Sequence, residues 1–208
     1  MSKHAFTVVV AVIIAVSLLL YMFTYTVRSS EVAVVLTFGK PAGKPAQAGM
    51  HFKWPWPIQE VRHFDARLIA SEGRFEETRT FDGHNIITSL FVGWEIGDAI
   101  LFNQTFGRAE DPMSLAWGGH LERVIRDKAW AVLGQHTLKD LVSVDQEPKY
   151  AQIEKEILDA AGSQTLKLYG VRVQIVKIKR LELPDSVTRT VYERMKAERN
   201  REANDIKK

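Results

Sequence analysis

The sequence predicts an α+β domain that is preceded by a transmembrane helix and followed by the start of a charged coiled-coil helix. Three observations lead to this fold class. Ala5 to Val27 contains 23 residues without a charge, the segments after it alternate between strand and helix periodicity, and ten of the 16 residues from Glu193 onward are charged. At 208 residues, the chain has room for one domain or two small ones beside these helices.

Composition excludes several classes of function. Lys and Arg number 28 against 25 Asp and Glu, so the net charge of +3 is too small and too dispersed for a nucleic-acid-binding surface. The chain has no cysteine, which excludes disulfides, a thiolate nucleophile and cysteine-bearing zinc or iron–sulfur sites. We therefore expect no nucleic-acid partner and a fold stabilised by packing.

The uncharged run at the N-terminus predicts a membrane anchor. A helix of 23 residues is about 35 Å long, whereas the hydrocarbon core of a bilayer is about 30 Å thick. A cleaved signal peptide is the alternative, but its apolar core is shorter and ends at a small-residue cleavage site. The residues from Tyr25 to Arg28 lack such a site, so an uncleaved anchor is favoured.

Two strands and an aromatic turn are predicted directly after the anchor. Glu31 to Phe38 is a short apolar run rich in β-branched residues, and Ile58 to Arg67 resumes as a second strand. Between them, the prolines of Trp54-Pro55-Trp56-Pro57 forbid a helix. Trp54 and Trp56 are candidates for contact with the membrane interface, and burial of both rings in the core is the open alternative.

The middle of the chain predicts a hairpin followed by amphipathic helices. Phe75 to Phe81 and Asn85 to Ile96 pair around Asp82-Gly83, with a period-2 apolar pattern in the second strand. The remaining elements are a helix from Leu121 to Gly134, a short helix capped by Thr137 and Asp140, a helix from Pro148 to Gly170 with Tyr150, Ile153, Ile157, Ala161 and Leu168 on one face, and a strand from Val171 to Ile178. In this last strand the apolar positions shift by one residue after Ile175. The shift predicts either a β-bulge or a strand that is buried on both faces.

The last segment predicts a helix that joins subunits. Asp185 to Lys208 follows Pro184 and has too narrow an apolar stripe to fold against its own domain. We therefore expect it to begin a coiled coil that continues beyond Lys208. The candidate residues for the oligomer interface are Val187, Val191, Met195 and Arg199.

The sequence offers no catalytic or metal-binding motif. Its six histidines include no pair at the i, i+4 spacing of a helical zinc site, and no Gly-x-Ser-x-Gly nucleophile motif occurs. Gly39 to Lys44 is one residue short of a phosphate-binding loop, and Pro45 replaces the hydroxyl residue that binds magnesium. We expect a protein that is not an enzyme and has no catalytic, cofactor-binding or metal-binding residues.

Four segments together resemble the SPFH, or band 7, family, which includes stomatins, prohibitins, flotillins and the bacterial HflK and HflC proteins. These segments are Glu31-Val-Ala-Val-Val-Leu-Thr-Phe-Gly-Lys40 with Gly49-Met-His-Phe-Lys-Trp-Pro-Trp-Pro57, Phe64-Asp-Ala-Arg67, Thr80-Phe-Asp-Gly83, and Val191-Tyr-Glu-Arg-Met-Lys-Ala-Glu-Arg199 after Leu183-Pro184. The last segment is most similar to the HflC branch of the family. The resemblance implies a tail at 1–4, a transmembrane helix at 5–27, an SPFH domain at 28–183 with two subdomains that meet near 97–110, and the start of the coiled coil at 184–208.

The resemblance also implies a function. Such a protein is a scaffold that assembles into rings or cages with an HflK-like sibling subunit and modulates an FtsH-like membrane AAA protease. It implies contact with membrane lipid, a single pass through the bacterial inner membrane, a cytoplasmic N-terminus and a periplasmic domain. Two alternatives are a general stomatin- or prohibitin-like scaffold of membrane microdomains and a membrane hydrolase, which the residues themselves disfavour.

Overall fold

The computed structural model describes residues 3–141 and 149–182, with the side chains of the first helix from Thr7 onward. Contacts divide the chain into two interleaved units. Among the described residues, the first comprises those up to Leu68, Glu95–Leu115 and Leu166–Arg172, and the second comprises Ile69–Trp94, those between Ala116 and Thr165, and those from Val173 to Glu182. The chain therefore passes between the units several times, whereas the predicted division has a single boundary near 97–110.

The first unit is built from an N-terminal helix, antiparallel strands and short helices. These elements are α1 (Lys3–Phe23), β1 (Thr24–Val27), β2 (Glu31–Thr37), β3 (Lys40–Pro41), β4 (Gly49–Phe52), β5 (Gln59–Asp65), α2 (Ala99–Phe106) and α3 (Pro112–Leu115). Strand β2 pairs with β3 on one side and with β5 on the other, and β1 pairs with β4. The core of this unit contains Ala33, Val34, Leu36, Phe64, Phe102 and Phe106.

Helix α1 ends earlier than the uncharged run predicts. It stops at Phe23, where the Thr24 hydroxyl donates a hydrogen bond of 2.8 Å to the Leu20 carbonyl. Thr24 to Val27 instead form β1, whose backbone pairs with β4 from Thr24 opposite Phe52 to Val27 opposite Gly49. A four-residue strand of Thr, Tyr and Val suits β geometry, and the partner strand is what the sequence pattern could not reveal.

Among the residues that the structure describes, no helix combines the length and the hydropathy required to cross a membrane.

The second unit combines an antiparallel sheet with longer helices. Its elements are β6 (Ile69–Glu72), β7 (Glu76–Arg79), β8 (Asn85–Ile96), a π-helical segment (Ala116–Leu121), α4 (Glu122–Leu133), α5 (Leu138–Leu141), α6 (Tyr150–Tyr169) and β9 (Val171–Glu182). The ends of β8, α6 and β9 belong to the first unit. Strand β8 pairs with β6, β7 and β9.

Several predictions for the second unit are confirmed. Strands β7 and β8 form the expected hairpin, and Gly83 occupies its turn with a φ of +83°. The side chains buried along β8 at alternate positions are Ile86, Thr88, Leu90, Val92 and Trp94. The predicted apolar stripe is also buried, at Leu121, which ends the π-helical segment, and at Ile125, Ala129 and Leu133 of α4.

The predicted face of α6 is wrong at its C-terminal end. Leu168 is 48% exposed, and Thr165 is fully buried instead. Four-residue steps carry the buried stripe from Ile153 through Ile157 and Ala161 to Thr165, and the next step leads to Tyr169 rather than to Leu168.

The predicted change of phase in the last strand is confirmed. Val171 and Val173 are buried, Ile175 is exposed, and burial resumes at Val176. The alternation therefore shifts by one residue within β9.

Candidate membrane-facing surface

The first unit carries exposed apolar side chains on the strands and turns that follow α1. We call this set the aromatic surface, and its members are Phe38, Met50, Phe52, Trp54, Trp56 and Ile58. The side chains of Trp54 and Trp56 are 59% and 81% exposed, so neither ring fills the core. Exposed apolar groups of this kind mark interaction surfaces, and contact with a membrane stays a prediction for both rings.

Hydrogen bonds hold the aromatic surface against the end of α1. The Lys53 amide donates to the Phe23 carbonyl at 2.8 Å, and the rings of Phe23 and Trp54 meet edge to face with centroids 6.1 Å apart. The Trp54 amide donates to Gln59 Oε1 at 2.8 Å, and Gln59 Nε2 donates to Thr37 Oγ1 at 3.1 Å. The Trp-Pro segment is therefore joined to α1 and to the ends of β2 and β5.

Two histidines that the sequence places on either side of the Trp-Pro segment meet the same tyrosine. The ring centroid of Tyr25 lies 5.5 Å from that of His51 and 6.4 Å from that of His63. His51 Nε2 lies 2.8 Å from the Gln47 carbonyl, and His63 Nδ1 lies 3.2 Å from Glu31 Oε2. These contacts give both histidines a structural role in joining β1, β4 and β5.

An ion pair between Asp65 and Arg67 lies at the end of β5, within the Phe64 to Arg67 signature. Arg67 donates from its guanidinium to both carboxylate oxygens of Asp65, and its amide donates to Asp65 Oδ1. The side-chain hydrogen bond from Arg67, followed by the backbone one, lowers the pKa of Asp65. Phe64 is buried, and its ring meets that of Phe102 at 5.4 Å. The signature thus supplies a core residue and a surface ion pair.

The second unit contains a polar network around the Thr80 to Gly83 signature. Thr80 Oγ1 donates to Asp82 Oδ1 at 2.6 Å, and Asp82 also accepts the Leu138 amide at 3.1 Å. The Phe81 amide donates to the His136 carbonyl at 2.9 Å. This signature therefore connects the β7–β8 turn to the start of α5.

Two further carboxylates extend this network. Asp140 forms the predicted cap by accepting from the Thr137 hydroxyl at 2.7 Å, and it also accepts from Lys149 Nζ at 2.9 Å. Glu156 lies 2.9 Å from His136 Nε2 and accepts from Gln152 Nε2. These hydrogen bonds favour the charged form of each carboxylate.

These contacts lower three pKa values. The hydrogen bond from Lys149, followed by those from Thr137, lowers the pKa of Asp140, and the contact with His136, followed by that with Gln152, lowers the pKa of Glu156. Burial raises the pKa of Asp82, but the hydrogen bonds from Thr80 and the Leu138 amide outweigh it, so the net pKa is lowered.

We expect the second unit to lose stability in acid. A carboxylate whose pKa is lower in the folded state stabilises the fold above its unfolded pKa and loses that contribution as the pH falls toward the folded value. The ordinary values are 4.5 for Glu156 and 3.8 for Asp82 and Asp140, so the loss begins below about pH 4.5. Urea unfolding of the full chain in detergent between pH 7 and pH 3 measures it.

Asp140→Asn provides the control for this pH dependence. Because the amide does not titrate, the variant should be less stable than the parent chain at pH 7, and the difference should shrink toward pH 3. If the difference in free energy of unfolding between Asp140→Asn and the parent chain stays the same from pH 7 to pH 3, the Asp140 carboxylate does not cause the loss of stability in acid.

The predicted oligomer-interface residues lie outside the described residues. They are Val187, Val191, Met195 and Arg199. Among the side chains that the structure describes, no group of three or more His, Asp or Glu is arranged to hold a metal ion.

Lys53, which lies among the residues of the aromatic surface, is not predicted as a functional residue from the sequence. Lys53 stands between exposed aromatic residues and is held at the end of α1 by its own amide. A single lysine in an aromatic segment carries no motif, so only the hydrogen bond between its amide and the Phe23 carbonyl reveals its position.

The pattern of these segments matches a known family. The family described as "SPFH domain / Band 7 family" matches residues 25–207, which is most of the chain. This chain belongs to the SPFH/band 7 family. The resemblance found in the sequence is thereby confirmed, and the mixed α and β architecture agrees with it.

Curated relatives of this SPFH chain carry the name HflC. "Protein HflC" of Haemophilus influenzae is 29% identical over 154 residues, which cover 74% of this chain and 50% of that protein. "Protein HflC" of Vibrio cholerae is 26% identical over 90% of this chain and 65% of its own length. "Modulator of FtsH protease HflC" of Escherichia coli K12 is 25% identical over 92% of this chain and 68% of its own length. The SPFH chain thus spans between half and about two thirds of the length of these relatives.

Proposed function

We propose that this chain is a non-enzymatic, membrane-anchored scaffold that assembles into a ring or cage and modulates an FtsH-type membrane AAA protease. The observation that carries the proposal is the similarity, over 92% of this chain, to a protein named as a modulator of FtsH protease. The family match over residues 25–207 supports the same function. At this level of identity the protease partner and an HflK-like sibling subunit are proposals.

The surface of α1 supports a membrane anchor. Apolar side chains are exposed along its described length, at Val8, Val9, Val10, Val12, Ile13, Ile14, Val16, Leu18, Leu19, Leu20 and Met22. In the sequence the uncharged run begins at Ala5, before the first described side chain. An apolar surface of this extent needs lipid or protein to cover it, and membrane lipid covers a helix that is apolar on all sides.

The aromatic surface supports a domain that rests against the same membrane. Trp54 lies next to the end of α1, Trp56 is exposed two residues further along the chain, and tryptophan favours the headgroup region of a bilayer. We propose a single pass through the bacterial inner membrane, with the N-terminus cytoplasmic and the domain periplasmic.

The charged tail is the proposed site of assembly. In the sequence, Val187, Val191 and Met195 form an apolar seam at four-residue steps, and charges of both signs flank it, including Arg199. A helix with so narrow a stripe gains little stability alone, because its local ion pairs contribute only about 0.2–0.5 kcal/mol each.

Val191→Asp combined with Met195→Asp tests the proposal in the full-length protein. Carboxylates in the seam are expected to lower the oligomeric mass, because every copy of the interface in a ring carries the same two changes. The domain should stay folded, since both residues lie beyond β9. Native mass measurement after detergent extraction reports the result, and an intact large assembly would place the subunit contacts elsewhere.

A further inference from the structure

Two cavities adjoin where α1 meets β4. The first is open to solvent, has a volume of about 490 Å³ and is lined by Val16, Leu19, Leu20, Phe23 and Phe52. The second is also open to solvent, has a volume of about 340 Å³ and is lined by Phe23, Phe52, Lys53, Trp54 and Gln59. Because they share Phe23 and Phe52, we treat them as one notch that is apolar at one end and polar at the other.

The apolar end of the notch suits a hydrocarbon chain. Its lining contains only apolar side chains, and it follows α1 from Val16 to Phe23, which is about 10 Å along the helix axis. Water in such a cavity finds no hydrogen-bonding side chain, so an aliphatic group is the favoured occupant.

The polar end of the notch carries a cation without a counter-ion. Among the residues that the structure describes, no carboxylate lies within ion-pair distance of Lys53 Nζ. The backbone of Lys53 is fixed by its amide hydrogen bond to the Phe23 carbonyl, and its ammonium group offers three donors. A half-buried lysine in this position favours an anion with several acceptor oxygens.

We propose that the notch binds one anionic phospholipid, with an acyl chain against α1 and the phosphate on Lys53. An apolar helix from a second copy would fill the apolar end but leave Lys53 without an anion. A free phosphate would neutralise Lys53 but leave the apolar end empty. A phospholipid satisfies both ends, and Trp54 then lies at the level of its headgroup. This inference rests on the proposed function, because it requires the chain to lie in a membrane.

Lys53→Gln tests the notch, with Lys44→Gln as the matched control. Lys44 is an exposed lysine in the loop between β3 and β4 and does not line the notch. The full chain and both variants are reconstituted into nanodiscs that contain equal amounts of phosphatidylcholine and phosphatidylglycerol. Native mass spectrometry then counts the lipids that each released chain retains.

The parent chain and Lys44→Gln are expected to retain one phosphatidylglycerol per chain. Lys53→Gln should lower the preference for phosphatidylglycerol over phosphatidylcholine about fivefold, which corresponds to the loss of one lysine–headgroup attraction. Soluble glycerol phosphate should fail to displace the retained lipid, since it cannot occupy the apolar end.

Vesicle flotation separates failure of the notch from failure of the proposed function. If all three chains float and Lys53→Gln retains as much phosphatidylglycerol as Lys44→Gln, the notch is not the lipid site. Retention of a second copy in place of lipid would also overturn the proposal. If the parent chain does not float, the membrane anchor is wrong, and the lipid site fails with it.

Discussion

Gly170→Ala is expected to lower the free energy of unfolding by about 2–5 kcal/mol. Gly170 follows α6 with a φ of +69°, a conformation that costs a residue with a Cβ about 1–2 kcal/mol. An added Cβ would also clash with the Asp98 carbonyl oxygen and lie 3.0 Å from the Phe102 nitrogen, and overpacking of this kind costs about 1–3 kcal/mol more. The clash is with backbone, which cannot rotate away as a side chain can.

The hydrogen bonds of Gly170 explain why the contact is so close. Its carbonyl accepts from the amides of both Gly97 and Asp98 at 2.8 Å. Any shift that relieves the clash therefore lengthens these two bonds at the start of α2.

Gly162→Ala is the matched control, inside the helix that Gly170 follows. Gly162 lies in the middle of α6, and its nearest neighbour to an added Cβ is the Val173 carbonyl oxygen at 3.9 Å. Alanine should stabilise the helix here by about 0.5–1 kcal/mol. Urea unfolding of the full chain in detergent measures both variants, and equal losses of stability would contradict the proposed cause.

Phe102→Ala is expected to cost about 3–5 kcal/mol of stability. Phe102 is fully buried on α2, and its ring centroid lies 5.4 Å from that of Phe64 and 5.1 Å from that of Phe106. Removal of the ring leaves a cavity bounded by two other aromatic side chains. These rings are part of the core of the first unit, which cannot collapse without moving a strand and a helix.

Phe81→Ala provides the comparison for Phe102→Ala. Phe81 is 74% exposed, so the same truncation there should change the free energy of unfolding by no more than about 0.5 kcal/mol. The difference between the two variants in urea midpoint reports the burial of Phe102. Similar midpoints would mean that α2 does not pack as described.

Periodicity predicted the elements whose own sequence carries a strong pattern. Strand β8 alternates over five buried positions, and buried residues recur at four-residue steps from Leu121 through Ile125 and Ala129 to Leu133 of α4. The Thr137 and Asp140 cap was also predicted, because its two partners are three residues apart. In each case the residues that determine the element are close together in the sequence or recur at one regular spacing.

The elements that the sequence could not predict depend on distant partners. Strand β1 continues the apolar run of α1, and only its pairing with β4 distinguishes strand from helix there. Helix α2 has eight residues and is capped by Asp98, whose carboxylate accepts from the Ile100 and Leu101 amides. Its short apolar sequence shows no clear period, so it was not predicted.

The candidate surface was predicted only in part. Tryptophan at positions 54 and 56 fits a membrane interface and a buried core equally well. Only the exposure of the rings of Trp54 and Trp56 in the structure shows that they do not fill the core. Lys53 was not predicted, since its relation to α1 follows from the hydrogen bond between its amide and Phe23. The spacing of these residues along the chain gives no indication of that hydrogen bond.

The proposed scaffold function is tested by isolating the full-length protein from its own membrane. A tagged copy is extracted in mild detergent, and its native mass and its content of the membrane AAA protease are measured together. We expect the parent protein to be recovered in a large assembly that contains the protease, and Val191→Asp combined with Met195→Asp to yield smaller species with less protease. Recovery of the parent protein as a monomer without the protease, from the same membranes in which the protease is abundant, would contradict the proposed function.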